Sequence, residues 1–190
     1  LPSQPHIEDD VRMTDAEFRE LSLDEGREAI RMCNSFNRLP SIIGLSWRME
    51  AQDWLRLLGE QWSVCDNIGS YHDELHDTPF EYILCDAANH SDVRSAFMND
   101  AERAALAQLP EIVTVYRGCY AHNKRGLSWS IDQATAEVFP TLHRYSSEGQ
   151  ALLIRATVRR ADIAGLKLDR GEAEVVAERP KIVSIRHIKG

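Results

Sequence analysis

The sequence predicts an α+β fold in which helices come first and short strands follow. Capping-box patterns and an amphipathic, tryptophan-rich stripe indicate helices before Pro110. After Pro110 the chain contains short β-branched and aromatic runs, which are typical of strands. Helices and strands that are segregated along a chain favour the α+β class over an alternating α/β fold. We therefore expect a mainly helical region over 1–98 and a strand-rich core over 99–190, either as separate units or as one continuous domain.

The helices are predicted from their start signals and from apolar spacing. Residues 14–17 and 22–25 each place a hydroxyl residue three positions before a glutamate, which is the capping-box spacing. The apolar stripe expected after the second box comprises Ala29, Ile30, Cys33 and Phe36. A heavier stripe at steps of three and four comprises Trp47, Ala51, Trp54, Leu58 and Trp62, with its tryptophans expected in the core. A further helix is predicted from residue 99 or 100 to 106, because Pro110 limits its extent.

The strands are predicted from β-branched and aromatic runs. Residues 112–116 form the first strand, which ends near Gly118. Further strands are expected at 126–130, 151–158, 173–177 and 182–188. Residues 132–139 have helical spacing with Ala136 and Phe139 on one side, and 140–149 is expected to be a polar loop.

The bulk composition is that of an ordinary globular chain. Its 190 residues are 43% hydrophobic, and no apolar run reaches the roughly 20 residues of a membrane helix. The net charge of −8 disfavours broad nucleic-acid binding, because an acidic surface repels phosphate backbones. Four scattered cysteines without a CxxC pair predict reduced thiols. The N-terminus has no basic-then-apolar leader pattern, so we expect a cytoplasmic protein with no membrane partner.

Two histidines four residues apart, His72 and His76, would share one face of a helix. The pair is similar to the zinc-protease motif, but that motif needs a glutamate directly after the first histidine, where this chain has Asp73. Gly69 and Pro79 flank the segment and favour a loop. We therefore expect a loop here and no bound metal.

Polar residues that fit one chemistry are spread over three predicted strands. They are Arg117 on the first strand, Ser128 and Ser130 on the second, and Glu172 and Glu174 at the start of the third. Strand alternation puts the two glutamates on one face, where like charges repel unless each has a partner or an electrostatic task. Taken singly, each of these residues is more typical of a solvated strand face than of a functional site.

The order and the flanks of these motifs resemble the arginine–serine–glutamate class of mono-ADP-ribosyltransferases, the cholera-toxin-like branch, and most closely its phage and bacterial members. The matching stretches are Tyr116-Arg117-Gly118, Gly126-Leu127-Ser128-Trp129-Ser130, the helix with Ala136 and Phe139, and Glu172-Ala173-Glu174-Val175-Val176. The resemblance covers residues 99–176 and departs at Trp129, where the family's middle strand usually has threonine. It implies a split β-sandwich core in the C-terminal half, preceded by the helical region.

The resemblance also implies NAD as the substrate, no metal, and a role for each matched residue. Arg117 would grip the diphosphate or the adjacent ribose, because a planar guanidinium binds phosphate bidentately. Glu174 would stabilise the positive charge that develops on the ribose as the nicotinamide bond breaks, and Ser128 would hold Glu174 by a hydrogen bond. Glu172 matches the residue that orients or deprotonates an acceptor guanidinium. The residues expected to contact NAD are Tyr116, Arg117, Gly118, Ser128, Trp129, Ser130 and, on a loop over the nicotinamide, Tyr145.

Three functions are compatible with this resemblance. The first is an NAD-dependent mono-ADP-ribosyltransferase, a pentosyl-transferring glycosyltransferase that modifies a protein at arginine or another macromolecule such as a nucleic acid. The second is an NAD glycohydrolase toxin that depletes NAD, and the third is a catalytically silent binding or inhibitory module of the same fold. Relatives include toxins, toxin–antitoxin components and phage effectors. The resemblance therefore implies action inside a bacterial cell, with an antitoxin or immunity protein as a further expected partner.

Overall fold

One antiparallel sheet organises the molecule. The computed structural model describes residues 20–66, 68–142, 147–169 and 173–188. The strands in these ranges are β1 (Ile112–Cys119), β2 (Ser128–Ser130), β3 (Leu152–Arg159), β4 (Gly165–Lys167), β5 (Glu174–Val176) and β6 (Lys181–His187). They lie in the order β4-β5-β2-β1-β3-β6, and every neighbouring pair is antiparallel.

The α-helices of the described chain mostly precede the sheet. They are α1 (Leu23–Ala29), α2 (Arg38–Ile43), α3 (Ala51–Gln61), α4 (His72–His76), α5 (Phe80–Asp86), α6 (Ser91–Phe97), α7 (Asp100–Gln108) and α8 (Gln133–Val138). Only α8 among them lies between strands, in the connection from β2 to β3. Helices followed by an antiparallel sheet confirm the predicted α+β class.

The sheet consists of two three-stranded halves that meet at a single residue pair. β1 pairs with β3 along its whole length, from Ile112 to Cys119. The register between β1 and β2, in contrast, consists of the pair Tyr116–Ser130. The half formed by β4, β5 and β2 is therefore joined to the half formed by β1, β3 and β6 at one point, and the two central strands can diverge beyond it.

The helix start signals within the described chain are confirmed. The Ser22 side chain accepts a hydrogen bond from the backbone N–H of Glu25, and the Glu25 carboxylate accepts one from Ser22 in return. Asn99 and Glu102 make the same reciprocal pair at the start of α7. Each box satisfies two backbone donors that have no partner inside the helix. The predicted box at 14–17 lies outside the described residues.

The hydrophobic core is shared by the helices and the sheet. Trp54 and Trp62, predicted as core, are fully buried, and Trp62 packs edge-on against Phe97 with ring centroids 5.4 Å apart. The same cluster contains Val115 of β1 and Val175 of β5. The helical region therefore supplies one wall of the core on which the strands pack.

Three residues of the predicted apolar stripes are exposed. Phe36 is 61% exposed and Trp47 is 68% exposed, and Ala29, the last residue of α1, is also exposed, so the prediction was wrong for all three. α1 ends at Ala29 and α3 begins at Ala51, so Phe36 and Trp47 lie in turns outside these helices. Helical spacing places side chains on one face only where the backbone stays helical, and at Phe36 and Trp47 it does not.

The segment with two histidines was predicted to be a loop, and it is helical. His72–His76 forms α4, which follows a 3₁₀ turn over Ile68–Tyr71. Gly69 lies inside that turn, and Pro79 is the N-cap of α5. The glycine is therefore accommodated within a 3₁₀ turn and the proline directly precedes a helix, so neither residue prevents helical structure here.

No helix in the described ranges is long and apolar enough to cross a bilayer. The four cysteines all lie within those ranges, and none of them is in a disulfide.

A buried ion pair links α7 to β4. The ammonium of Lys167 lies 2.8 Å from the carboxylate of Glu102, and the side chains are 4% and 1% exposed. The Lys167 ammonium also lies 5.2 Å from the ring centroid of Phe97. Because both charges are removed from water, each depends on the other for compensation.

We expect Lys167→Met to lower the free energy of unfolding by about 3–5 kcal/mol, because it leaves the Glu102 carboxylate buried without its counter-ion. Urea unfolding monitored by circular dichroism measures the change. Arg56→Met is the matched control, since the Arg56–Asp53 pair is solvent-exposed and such pairs contribute about 1 kcal/mol or less. Equal losses of unfolding free energy in the two variants would show that the buried pair contributes no more to stability than the exposed pair.

Candidate functional site

A cleft of about 160 Å³ lies where the two halves of the sheet meet the helical region. We refer to it as the central cleft. Every predicted site residue within the described ranges lines it, namely Tyr116, Arg117, Gly118, Ser128, Trp129, Ser130 and Glu174. The predicted residues Glu172 and Tyr145 lie outside the described residues. The sequence motifs on three separate strands are therefore brought to one concave surface.

A cross-strand row forms the floor of the central cleft. Tyr116 of β1 is directly opposite Ser130 of β2, and Ser130 is directly opposite Glu174 of β5. Glu174 is in turn opposite Lys167 of β4. Residues directly opposite each other on antiparallel strands project from the same face of the sheet. The row therefore places an aromatic ring, a hydroxyl and a carboxylate side by side.

Ser130, and not Ser128, is the residue opposite Glu174. Ser128 is paired with Val176, one step further along β2 on the same face. A diagonal neighbour on one face lies roughly 7–8 Å away between Cα atoms. Both hydroxyls therefore line the cleft, with Ser130 the nearer of the two to Glu174 by strand register.

The guanidinium of Arg117 lies where β1 and β2 diverge. One terminal nitrogen donates to the carbonyl of Ser128 at 2.7 Å, and the other donates to the carbonyl of Asn123 at 3.3 Å. The Nε atom is buried and has no hydrogen-bond partner among the described residues. A guanidinium has five N–H donors, so these two bonds leave capacity for an anion.

Burial lowers the pKa of Arg117 from its ordinary value, and the negative charge of Glu174 opposes that shift. Arginine nonetheless stays protonated in proteins. The central cleft thus holds a desolvated positive charge, and a buried charge is stabilised by any anion that reaches it.

Gly126 provides the space that the Arg117 side chain occupies. A Cβ atom at residue 126 would lie 2.3 Å from a terminal nitrogen of Arg117. The indole N–H of Trp129 donates to the Gly126 carbonyl at 3.0 Å, from the buried side of β2. Trp129, where the resembled family usually has threonine, therefore braces the loop against which the guanidinium rests.

The close approach of α8 to β1 depends on Gly118. A Cβ atom there would lie 1.8 Å from the carbonyl oxygen of Ala136, closer than any side chain could be accommodated. Ala136 is buried against the strand, and Asp132 is the N-cap of α8, where its carboxylate accepts from the N–H groups of the first turn. The glycine thus fixes the wall of the cleft that lies beside Arg117.

The helical region contributes a residue that the sequence did not identify as part of the site. The indole N–H of Trp62 donates to a carboxylate oxygen of Glu174 at 2.9 Å. Trp62 was predicted as core only, and its ring is indeed fully buried. A buried tryptophan needs a partner for its N–H, and here that partner is the carboxylate of the cleft. The bond connects the helical region directly to the predicted catalytic residue.

Cys65 lines the central cleft but is not a nucleophile at neutral pH. Burial raises its pKa from 9.0 to about 11. Since the thiolate is the reactive form, a thiol with this pKa is protonated at neutral pH. The other polar side chains that line the cleft include Arg117, Lys167, Asp169, Glu174 and the hydroxyls of Ser128 and Ser130.

The comparisons with known proteins give no match: no protein-family model, no curated protein and no solved structure is similar to this chain. The resemblance to ADP-ribosyltransferases therefore depends on the sequence motifs alone.

We expect Cys85, which is exposed, to react with Ellman's reagent well before Cys65 at pH 8. Below a pKa of about 11, the reaction rate of Cys65 should rise about tenfold per pH unit, as its thiolate fraction does. Absorbance stopped-flow on the folded protein measures both phases. Cys85→Ser should remove the fast phase. A fast phase that persists in Cys85→Ser and disappears in Cys65→Ser would contradict the assignment.

Proposed function

We propose that this chain is an NAD-dependent mono-ADP-ribosyltransferase that breaks the nicotinamide–ribose bond and transfers ADP-ribose to a macromolecule. The observation that supports this most strongly is the convergence of Arg117, Ser128, Ser130 and Glu174 on one cleft. These residues come from three strands, and the sequence resemblance assigns all of them to one site. Convergence of this kind is what a shared reaction would require.

Arg117 is proposed to hold the diphosphate of NAD. Its guanidinium is desolvated, is fixed by two backbone carbonyls and has N–H donors left over. A planar guanidinium that is already fixed binds phosphate oxygens with little further loss of side-chain freedom. The two backbone carbonyls hold the guanidinium in this orientation.

Glu174 is proposed to stabilise the transition state. As the nicotinamide leaves, positive charge develops on the ribose, as in glycoside hydrolysis. A carboxylate that is fixed beside that charge stabilises the transition state more than the ground state, and this difference accelerates the reaction. Trp62 fixes one oxygen of Glu174 without adding a charge. Ser130, opposite Glu174, joins Ser128 as a candidate for the hydroxyl that holds the second oxygen.

The size of the central cleft limits how much of NAD it encloses. Pockets that surround a drug-sized ligand are typically ~300–1,000 Å³, whereas this one is about 160 Å³. We propose that the nicotinamide and its ribose occupy the cleft and that the adenosine end lies along its rim. Tyr145 remains the predicted stacking residue over the nicotinamide.

The geometry of the sheet supports the proposal that the core is a split β-sandwich. A split β-sandwich needs two groups of strands that separate at a junction, and here β1 and β2 share the single pair Tyr116–Ser130. The side chain of Arg117 occupies the space where the strands separate. We therefore propose that the core is of the ADP-ribosyltransferase type.

The acceptor is proposed to be arginine or a similar cation on a protein. This assignment depends on Glu172, which matches the acceptor-orienting residue of arginine-modifying relatives. The helical region is proposed to help select the target, because it already forms one wall of the cleft through Trp62 and Ile68.

We expect Glu174→Gln to abolish NAD cleavage and Glu172→Gln to abolish transfer while slow NAD hydrolysis continues. The first change removes the charge that stabilises the ribosyl cation, and the second removes only the group that prepares the acceptor. Labelled NAD incubated with a cell lysate, followed by mass spectrometry of labelled products, measures both activities. Glu137→Gln, on the surface at α8, is the control.

Product analysis decides between the alternatives. Free ADP-ribose in large excess with no labelled macromolecule would favour the glycohydrolase. Absence of both cleavage and an NAD-dependent thermal shift would favour the silent module. Full transfer by Glu174→Gln would refute the proposal.

We expect Trp62→Phe to lower kcat roughly 10- to 100-fold with little change in KM. The substitution keeps an aromatic ring in the core but removes the N–H that fixes Glu174, and hydrogen bonds to charged groups contribute about 1.5–3 kcal/mol. Trp54→Phe is the matched control, because the Trp54 N–H donates to the Ile42 carbonyl and not to the cleft. An equal loss in both variants, or a loss confined to KM, would show that Trp62 acts only through packing.

A further inference from the structure

A second polar cluster lies outside the central cleft, where α4 meets the segment after β5. His72 and His76 are one helical turn apart, and both direct Nε2 towards the carboxylate of Glu178. The distances from Nε2 to a carboxylate oxygen are 3.1 Å for His72 and 3.5 Å for His76. The three side chains are partly buried, with exposures of 32%, 23% and 11% for His72, His76 and Glu178.

These spacings are those of ligands around one transition-metal ion. Zinc binds imidazole nitrogen and carboxylate oxygen at about 2.0–2.2 Å, so neighbouring ligand atoms in a tetrahedron are about 3.3–3.6 Å apart. The Nε2 atoms of His72 and His76 lie 3.1 and 3.5 Å from the carboxylate oxygen of Glu178, close to that range. One ligand atom from each of the three residues lies within 4.8 Å of the others. An ion can therefore be accommodated with only small side-chain movements.

The hydrogen bonding of His72 suits a metal ligand. Its Nδ1 atom lies 3.3 Å from the carboxylate of Asp73. An Nδ1–H that donates to a carboxylate leaves the Nε2 lone pair facing Glu178, and metal-bound histidines are usually oriented in this way. The guanidinium of Arg179 also lies 3.9 Å from Glu178, but its side chain is 87% exposed and can turn away.

We propose that His72, His76 and Glu178 bind a first-row divalent transition-metal ion, with Zn²⁺ as the reference ion. Two imidazoles and one carboxylate suit Zn²⁺ and its neighbours, whereas Mg²⁺ and Ca²⁺ prefer oxygen ligands. Three protein ligands leave one position open for water. This inference is independent of the proposed transferase activity.

The ion would join two elements that border the central cleft. Ile68, at the start of the turn before α4, lines the cleft, and so does Glu174, which precedes Glu178 on the same chain segment. Binding to the folded state only would stabilise that state. The bound ion is therefore expected to stabilise the elements around the cleft and to take no part in the proposed reaction.

A competing set shares one of these histidines. His76, Glu81 and Cys85 also bring their ligand atoms within 4.8 Å of one another. Glu81 and Cys85 are exposed, whereas Glu178 is nearly buried. The competing set supplies a thiolate, and this difference separates the two sites experimentally.

The test uses the full chain without a histidine tag, made metal-free and titrated with ZnCl₂ in a calorimeter. We expect one equivalent to bind and the melting temperature to rise. His72→Gln and Glu178→Gln should each weaken binding by more than the roughly 10- to 100-fold that loss of an outer-sphere partner costs. Cys85→Ser is the matched control and should bind as the unmodified chain does.

Cobalt provides a second, spectroscopic measurement. Co²⁺ bound by imidazole and carboxylate gives visible ligand-field bands without the ultraviolet thiolate-to-metal charge-transfer band that Cys85 would add. The proposal is overturned if the unmodified chain shows no saturable Zn²⁺ binding. It is equally overturned if the charge-transfer band appears and Cys85→Ser, rather than Glu178→Gln, removes binding.

Discussion

The separation of β1 from β2 is the constraint on which the rest of the molecule depends. Backbone pairing between these strands consists of Tyr116–Ser130, and beyond it the carbonyl of Ser128 accepts from the Arg117 guanidinium. A side-chain donor thus takes the place of a ladder bond, and the carbonyl remains satisfied as buried polar groups require. The Arg117 side chain lies between the two half-sheets. The separation of β1 from β2 therefore accounts both for the position of this cation and for the cleft.

Contacts from the helical region position the strands that carry the central cleft. Lys167 of β4 is neutralised by Glu102 of α7, which keeps the edge of the half-sheet docked on the helices. Trp62 reaches Glu174 from the end of α3. Since both contacts cross from one region to the other, the strands that carry the cleft are positioned by helices far earlier in the chain. This coupling, together with the common core, argues against treating the helical region as an independent appendage.

The sequence predicted the parts of the fold and site that are determined by local signals. A capping box located α1, and β-branched and aromatic runs located β1, β3 and β6. β4 was missed, because a three-residue strand that begins with Gly165 has too few β-branched residues to be recognised. The role of Trp62 was missed for another reason. Its spacing predicts burial correctly, but a partner 112 positions away depends on tertiary contacts that periodicity does not contain.

Glu174 and Glu178 follow one another on a single segment, and the helical region gives them different electrostatic partners. An indole N–H orients the Glu174 carboxylate while contributing no formal charge, so its interaction does not neutralise the carboxylate. Glu178 faces two imidazoles, which accept a proton or donate lone pairs to a metal ion. Under the two proposals, Glu174 would present its charge to a transient cation, whereas Glu178 would share its charge with a bound ion. The helical region presents an indole N–H to the first carboxylate and two imidazoles to the second, four residues further along the same segment.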